Sequence, residues 1–358
     1  MRRCSLAEIA RLAGVNPSTV SRALNPATAS LISEEQRRKI VELCDQLSYR
    51  PQAAARSLAV GKTFAIGCVS GQLACDMSSP YYSACLAALG AELQRHGYSL
   101  IMIPVEPGNR KFQGGVREVL LSDRADGYIL GAGLLKEQTT EMFRCTKRPI
   151  IALAYHNSPS VVGLPAVEIS IDRAIREIWR AMPAKLLGER FAFFGTQDVS
   201  SLSKLARVRE QAPDGIEVAE LFFPKGSRYN VLDYLQAAKA AEEMWPALAE
   251  RKVIWCATDL TAFALIDAMR RRGLEPGRDI MVIGYDHIES VVPGSPAGLA
   301  TIDPGWERCG TVLAREMLKF IASPGAPRRS VVLQARFVPG QSFPFSSDIA
   351  YHTGSNSK

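Results

Sequence analysis

Apolar residues recur at helical spacing in three short segments within the first fifty residues. The faces that this spacing predicts to be buried are Leu6, Ile9, Ala10 and Ala13 in the first segment, Val20 and Leu24 in the second, and Ile40, Val41, Cys44 and Leu47 in the third. Ser5, Asn16 and Ser33 stand where the three helices need a capping oxygen. Gly14 can take the positive φ that ends a helix, so the first two helices are predicted to be joined by the short turn 14–16.

A tight turn between two helices, with a third helix in support, is typical of a helix-turn-helix, whose second helix enters the major groove of DNA. Ser18 and Arg22 share one face of that second helix, and the Arg22 guanidinium can bond guanine O6 and N7. Thr19, Ser21 and Asn25 are short polar groups suited to phosphate oxygens. A small helical bundle that does not bind DNA is the alternative interpretation.

Basic charge is concentrated at the amino end of the chain. Residues 1–60 hold nine Lys and Arg against five Asp and Glu, which gives +4 of the total net charge of +7 and favours a polyanionic partner.

Pro51 ends the third helix, and the Ala-rich segment 52–59 is too short to form a stable helix in water but can fold on docking. Leu58 suits insertion between base steps from the minor groove, and a plain interdomain linker is the alternative.

From residue 62 onward, short apolar runs alternate with helical patterns such as 81–96 and 111–122. The runs predicted to be buried strands are 64–69, 100–103, 127–130, 150–153, 191–195, 253–257 and 280–284. Strands that alternate with helices predict parallel sheets in an α/β fold, and two such series predict two lobes. Ligands of such folds bind beyond the carboxyl ends of the strands.

Composition and motifs exclude several other classes of protein. No run approaches the roughly 20 apolar residues of a membrane span, and the first residues lack the apolar core of a signal peptide, so a cytoplasmic protein with no membrane partner is predicted. The eight cysteines and four histidines lack metal-ligand spacing, so neither a metal nor another cofactor is predicted. The segment 61–63 lacks the first glycine of a phosphate-binding loop, and no G-x-S-x-G elbow occurs, so the protein is not predicted to be an enzyme.

Residues 6–25, LAEIARLAGVNPSTVSRALN, followed by 49–58, YRPQAAARSL, resemble the LacI/GalR family of bacterial transcription regulators. The resemblance implies a repressor that binds a pseudo-palindromic operator in double-stranded DNA as a homodimer or tetramer, with the 52–59 segments of two subunits forming hinge helices in the minor groove. It implies base reading by Pro17, Ser18 and Arg22. The whole DNA-binding set is then Ser5, Pro17, Ser18, Thr19, Ser21, Arg22, Asn25, Ala55 and Leu58.

The likeness continues through residues 79–82, 126–130, 256–262 and 272–286. It implies an α/β fold in which an all-α helix-turn-helix domain precedes a two-lobed core of the periplasmic-binding-protein type, with parallel sheets and an effector in the cleft. The predicted domains are 1–50 for DNA binding, 51–61 for the hinge, 62–345 for the core and 346–358 for a tail. Within the core, the first lobe is predicted at about 62–168 and 289–322, and the second at about 169–288 and 323–345.

The resemblance also implies a pocket for a small polar effector, such as a sugar or a sugar derivative. The residues implied to bind it are Tyr81, Tyr82, Tyr155, Lys204, Asp259, Asp286 and Trp306. Thr258 and Pro304 stand where the family commonly has Asn and Gln, and Lys204 where it commonly has Arg, so an effector other than a common sugar, or a pocket that binds none, stays open. The alternative function is a cytoplasmic small-molecule-binding protein with a vestigial DNA-binding module.

Overall fold

The computed structural model describes residues 4–24, 28–49, 61–70, 79–104, 118, 120–121, 124–131, 146–155, 164–224, 231–290 and 298–343. The chain divides into two compact units, Met1–Phe64 and Ala65–Lys358. The hinge residues 52–59, the tail 346–358 and most of the predicted helix 111–122 lie outside the described residues. Among the described residues, no helix is both long and apolar enough to span a membrane.

The first unit contains three helices, α1 (Leu6–Ala13), α2 (Pro17–Leu24) and α3 (Glu34–Gln46). The Ser5 hydroxyl accepts from the Glu8 N–H at 3.2 Å, and the Ser33 hydroxyl accepts from the Gln36 N–H at 3.4 Å. Gly14 ends α1 with a φ of 70°, the left-handed conformation that glycine adopts without strain. The predicted caps at Ser5 and Ser33 and the turn after α1 are therefore confirmed.

The small core of this unit forms where the three helices meet. Its buried side chains are Ile9, Ala10, Ala13, Val20, Ala23, Ile40, Cys44 and Tyr49. The prediction that Val41 and Leu47 are buried is wrong, because they are 37% and 40% exposed. Val41 falls beside the Ile40–Cys44 stripe rather than on it, and Leu47 follows the last residue of α3, where Tyr49 covers the core instead.

Two six-stranded sheets form the second unit. The first has the order β11-β5-β4-β3-β1-β2, with every neighbour parallel, and contains β1 (Ala65–Ser70), β2 (Ser99–Pro104), β3 (Gly127–Leu130), β4 (Ile150–Tyr155), β5 (Ala166–Ser170) and β11 (Val331–Gln334). The second has the order β12-β10-β9-β8-β6-β7, with only β12 antiparallel, and contains β6 (Phe191–Thr196), β7 (Val218–Phe223), β8 (Val253–Cys256), β9 (Met281–Tyr285), β10 (Ala300–Asp303) and β12 (Arg336–Val338).

Helices connect the strands and cover the sheets. They are α4 (Pro80–Arg95), α5 (Asp172–Ala181), α6 (Val199–Glu210), α7 (Val231–Glu243), α8 (Trp245–Ala249), α9 (Asp259–Arg270) and α10 (Trp306–Ala322). Short 3-10 turns occur at Ala29–Leu31, Ala184–Leu186 and Ile288–Ser290. α4 packs against α10 in the first lobe, and α7 packs against α9 in the second. The predicted α/β fold with parallel sheets is confirmed.

Two of the predicted lobe boundaries are wrong. For 289–322, predicted in the first lobe, α10 does pack there against α4, but β10 pairs with β9 in the second sheet. For 323–345, predicted in the second lobe, β12 does belong to the second sheet, but β11 pairs with β5 in the first sheet. The chain therefore passes between lobes after β5, after β10 and after β11. β10 (ATID) contains Thr301 and Asp303, and β11 (VVLQ) is half-exposed and ends in Gln334, so neither is the continuous apolar run from which buried strands were predicted.

Candidate nucleic-acid interface and ligand cleft

The second helix of the first unit presents one polar face to solvent. Pro17, Ser18, Ser21 and Arg22 are exposed, whereas Val20 and Ala23 turn into the core. The carbonyl of Asn16 accepts from the N–H groups of Thr19 and Val20, which starts the helix. The packing that buries one side of α2 thus leaves its other side, including the predicted base-reading residues, open to a partner.

Arg22 lies near the end of this exposed face. Its own backbone carbonyl accepts from the Thr28 hydroxyl at 3.1 Å, which ties the end of α2 to the loop that follows. Within residues 4–24 and 28–49, no carboxylate forms an ion pair with its guanidinium. The five N–H donors of the fork are thus available to guanine or phosphate acceptors. Asn25, Ala55 and Leu58 lie outside the described residues.

Ser5 has a structural task in addition to its predicted contact with DNA. Its oxygen caps α1 by accepting from Glu8. A hydroxyl has two acceptor lone pairs and one donor, so capping leaves the proton of Ser5 able to donate to a phosphate. Thr19 is half-buried beside the exposed face.

In the second unit, polar groups gather beyond the carboxyl ends of the second-sheet strands. Lys204 on α6 is 7% exposed, and its Nζ donates to the Ala257 carbonyl at 2.7 Å. The same Nζ lies 3.6 Å from the centroid of the Tyr285 ring. Burial lowers the pKa of Lys204, and the carboxyl group of Asp286 opposes that shift most strongly.

Asp286 follows the last residue of β9. It is 4% exposed, has a φ of 114°, and donates its backbone N–H to the Ile302 carbonyl at 2.9 Å. Burial raises the pKa of Asp286 well above its ordinary value; the charge of Lys204 opposes this shift, and the nearby carboxyl of Asp259 adds to it. A non-glycine residue at this φ is uncommon, so the fold around β9 holds Asp286 in an unfavourable backbone conformation.

Aromatic side chains from the first lobe form the facing wall. Tyr81 near the start of α4 stacks on Trp306 at the start of α10, with ring centroids 5.3 Å apart and planes inclined by 30°. Trp306 lies close to Asp286, so the wall from one lobe meets the acid from the other. Tyr82 is buried, and its backbone N–H donates to the Ser79 hydroxyl at 3.3 Å.

Four of the predicted effector residues therefore come together, namely Tyr81, Lys204, Asp286 and Trp306. Tyr285 belongs to the same cluster but was missed, because it precedes Asp286 directly and strict strand alternation assigns the two to opposite faces. Tyr155 is the last residue of β4, and nothing is described of its side chain.

Asp259 is held by hydrogen bonds from other parts of the second lobe. Its Oδ1 accepts from the Thr301 hydroxyl at 2.6 Å and its Oδ2 from the Ile288 N–H at 2.8 Å. A Cβ on Gly284 would lie only 2.2 Å from Oδ1, so the carboxyl fits directly against β9. With 2% exposure and both oxygens in use, Asp259 ties the start of α9 to the segments after β9 and within β10.

Comparison with known proteins gives a consistent result for both units. The sequence model of bacterial regulatory proteins, lacI family, matches residues 5–52, and that of a periplasmic binding protein-like domain matches residues 188–343. Together the two matches cover more than half of the chain. The chain belongs to the lacI family of bacterial regulatory proteins. This lacI-family protein is thus a DNA-binding transcriptional regulator with an effector-binding core.

Relatives align with this lacI-family chain over nearly its whole length. The HTH-type transcriptional repressor PurR of Aliivibrio fischeri is 25% identical over 339 residues, covering 93% of this chain and 96% of the relative. The ribose operon repressor of Haemophilus influenzae is 24% identical over 337 residues, covering 92% and 96%. The Lac repressor bound to ONPG in the repressed state has the same fold, with a TM-score of 0.73 at 21% identity over 95% of this chain and 100% of that one.

Replacing Asp259 by asparagine is expected to flatten the pH dependence of stability of this lacI-family protein. Burial raises the pKa of Asp259 from 3.8 to about 6, so the folded state binds this proton more tightly than the unfolded chain. The resulting stabilisation is complete below about pH 4 and is lost as the pH rises through about 6. Asparagine cannot titrate, but its Oδ1 can still accept from Ile288 and its amide can donate to Thr301.

Urea unfolding of both proteins at pH 4.5, 6 and 7.5 measures this effect. The free energy of unfolding of the wild type, relative to the variant, should fall across the series. A difference that stays constant with pH would mean that the carboxyl titrates alike in the folded and unfolded states.

Proposed function

We propose that this chain is a repressor that binds a pseudo-palindromic operator as a homodimer or tetramer and changes its operator affinity when a small polar effector occupies the cleft. The exposed polar face of α2, with Arg22 near its end, is the observation that carries the DNA-binding half. Related proteins are named repressors, and a Lac repressor dimer bound to operator and the anti-inducer ONPF has a TM-score of 0.73 at 21% identity over 96% of this chain and 100% of that one. The proposed location is the cytoplasm, and the proposed role of the cleft is binding rather than catalysis.

A mobility shift on the DNA upstream of the protein's own gene, repeated over a range of salt, tests the DNA-binding half. Affinity should fall steeply with salt, because each phosphate contact releases counterions. Random duplex of equal length should bind more weakly at every salt concentration. Equal affinity for both duplexes would rule out an operator, whereas a chain that binds a small molecule but no DNA would support the vestigial-module alternative.

The chemistry of the cleft defines the class of effector. The Asp286 carboxyl accepts from hydroxyl or amine donors, and the Lys204 ammonium donates to an acceptor or an anionic group. The stacked rings of Tyr81 and Trp306 offer an aromatic surface to a flat or ring-shaped ligand. A sugar, a sugar derivative or a nucleoside meets these requirements.

Asp286→Ala is expected to weaken effector binding roughly 10- to 100-fold, since a hydrogen bond to a charged group contributes about 1.5–3 kcal/mol. A thermal-shift screen of sugars, sugar phosphates, nucleosides and polyamines first identifies a binder, and calorimetry then compares the variants. Asp214→Ala is the matched control, because Asp214 is exposed in the loop that precedes β7, at the end of the sheet away from the cleft. A binder that stabilises Asp286→Ala as much as the wild type would remove Asp286 from the site.

A further inference from the structure

A second cavity, of about 590 Å³, opens at the end of the first sheet opposite the cleft. Three neighbouring parallel strands, β4, β5 and β11, begin at its wall. Because the cleft lies beyond the carboxyl ends of the strands, this cavity at their amino ends is a separate place on the molecule. Nothing in the proposed function requires it.

Two arginines line this amino-end cavity. Arg148 lies in the segment before β4, with its guanidinium 3.8 Å from the Asp126 carboxylate. Arg328 lies in the segment before β11, over the Phe320 ring at 5.4 Å, and makes a long contact of 3.5 Å with the Pro324 carbonyl. One weak neutral contact uses little of the donor capacity of the Arg328 fork.

Hydroxyl groups complete the polar lining. The Ser330 oxygen accepts from the Ala166 N–H at 3.1 Å, so its own proton is available to donate into the cavity. The Thr146 hydroxyl is committed to the wall, donating to the Leu120 carbonyl at 3.2 Å. Among the described residues, the cavity lining thus presents two planar guanidinium forks and a hydroxyl donor, and it contains no carboxylate; the Asp126 carboxylate lies behind Arg148.

The surrounding charge has the same sign. Lys147 and Arg329 are exposed, each next in sequence to a lining arginine. Guanidinium groups match the geometry of phosphate oxygens and bind them through paired, charge-assisted hydrogen bonds. We propose that the amino-end cavity binds a small phosphate-bearing molecule, held by Arg148, Arg328 and Ser330, independently of the effector in the cleft.

Calorimetric titration of the full chain with inorganic phosphate and with pyrophosphate, at constant ionic strength set by chloride, tests the site. Saturable binding is expected, tighter for pyrophosphate, which can engage both forks. The double variant Arg148→Gln/Arg328→Gln should weaken it at least about tenfold, as expected for the loss of charge-assisted hydrogen bonds. Arg328→Gln alone should also weaken it, and this variant leaves the contact between Arg148 and Asp126 intact.

The matched control is Lys147→Gln/Arg329→Gln, which removes the same charge from the same region but from residues outside the cavity lining. This control should change phosphate affinity less than about twofold, as expected for exposed charges screened by salt. If both double variants weaken phosphate binding equally, the anion is attracted by the general positive charge of this region and not by a specific site. If phosphate and pyrophosphate do not bind saturably to the wild type, the proposed site does not exist.

The phosphate of a nucleic acid backbone is the competing occupant. In the mobility shift on random duplex, Arg148→Gln/Arg328→Gln should keep the salt dependence of the wild type. A slope smaller by one or two phosphate contacts would show that these arginines touch DNA, and would contradict binding of a small molecule.

Discussion

Replacing Arg22 by alanine is expected to lower the affinity for the specific operator by about 1–3 kcal/mol, or roughly 5- to 150-fold, and to relax the preference at one base pair. Arg22 is exposed on the face of α2 that also carries Ser18. Within the described residues of its unit, no carboxylate forms an ion pair that would compete with DNA for the Arg22 guanidinium. A bidentate pair with guanine is lost entirely in the variant, whereas a phosphate contact would affect all sequences alike.

The matched control is Arg11→Ala, since Arg11 is exposed in the last turn of α1 and its loss changes the charge of the unit equally. Fluorescence anisotropy on operator and random duplexes measures both variants. Arg22→Ala should lose more affinity on the operator than on random DNA, while Arg11→Ala should lose the same on both. If Arg22→Ala loses the same affinity on operator and on random DNA, Arg22 contacts only phosphate. The variant should remain folded, because the backbone carbonyl of residue 22 still accepts from the Thr28 hydroxyl.

Local signals were enough to predict the DNA-binding unit. Ser5 and Ser33 cap helices and Gly14 ends one, each through hydrogen bonds to residues three or four positions away. A short stretch of sequence is therefore enough to predict these helix ends. Burial was harder to predict, because the position of Val41 depends on which stripe of α3 faces the other two helices. A pattern of apolar residues defines a face of about 100° but not its centre.

The central strands of the core could also be predicted from local sequence. Parallel strands covered on both faces read as continuous apolar runs, as β1 and β8 do. Glu168 interrupts β5, and β12 has only three residues and starts with Arg336, so neither strand is a continuous apolar run. Which sheet such a strand joins depends on pairing with residues far away in the chain. The lobe boundaries therefore required the sheet order.

The roles of the cleft residues depend equally on distant partners. Asp259 and Asp286 both follow a second-sheet strand, and the sequence gives them the same expected role. They differ because Thr301, 42 positions from Asp259, takes one of its oxygens, while Asp286 faces Lys204 and Trp306. Such separations leave no local pattern in the sequence.

Gly310→Ala is expected to lower the free energy of unfolding by about 3 kcal/mol, at the upper end of the usual cost of overpacking. Gly310 lies in α10, where that helix crosses α4. An added Cβ would lie 2.0 Å from the Cys85 carbonyl oxygen and 2.9 Å from the Leu89 nitrogen. Both are backbone atoms of α4, so no side-chain rotation can relieve the clash and the two helices must separate.

Gly90→Ala is the control, because Gly90 also lies in α4 but its added Cβ would meet only the Leu100 Cδ2 at 3.9 Å. That variant should keep or gain stability, by up to about 1 kcal/mol from better helix propensity. Urea unfolding compares the two variants, and equal stabilities would refute the tight crossing.

Because α4 carries Tyr81 and α10 carries Trp306, separating the helices should also break the ring stack. Gly310→Ala should therefore weaken effector binding as well, even under conditions in which it is fully folded.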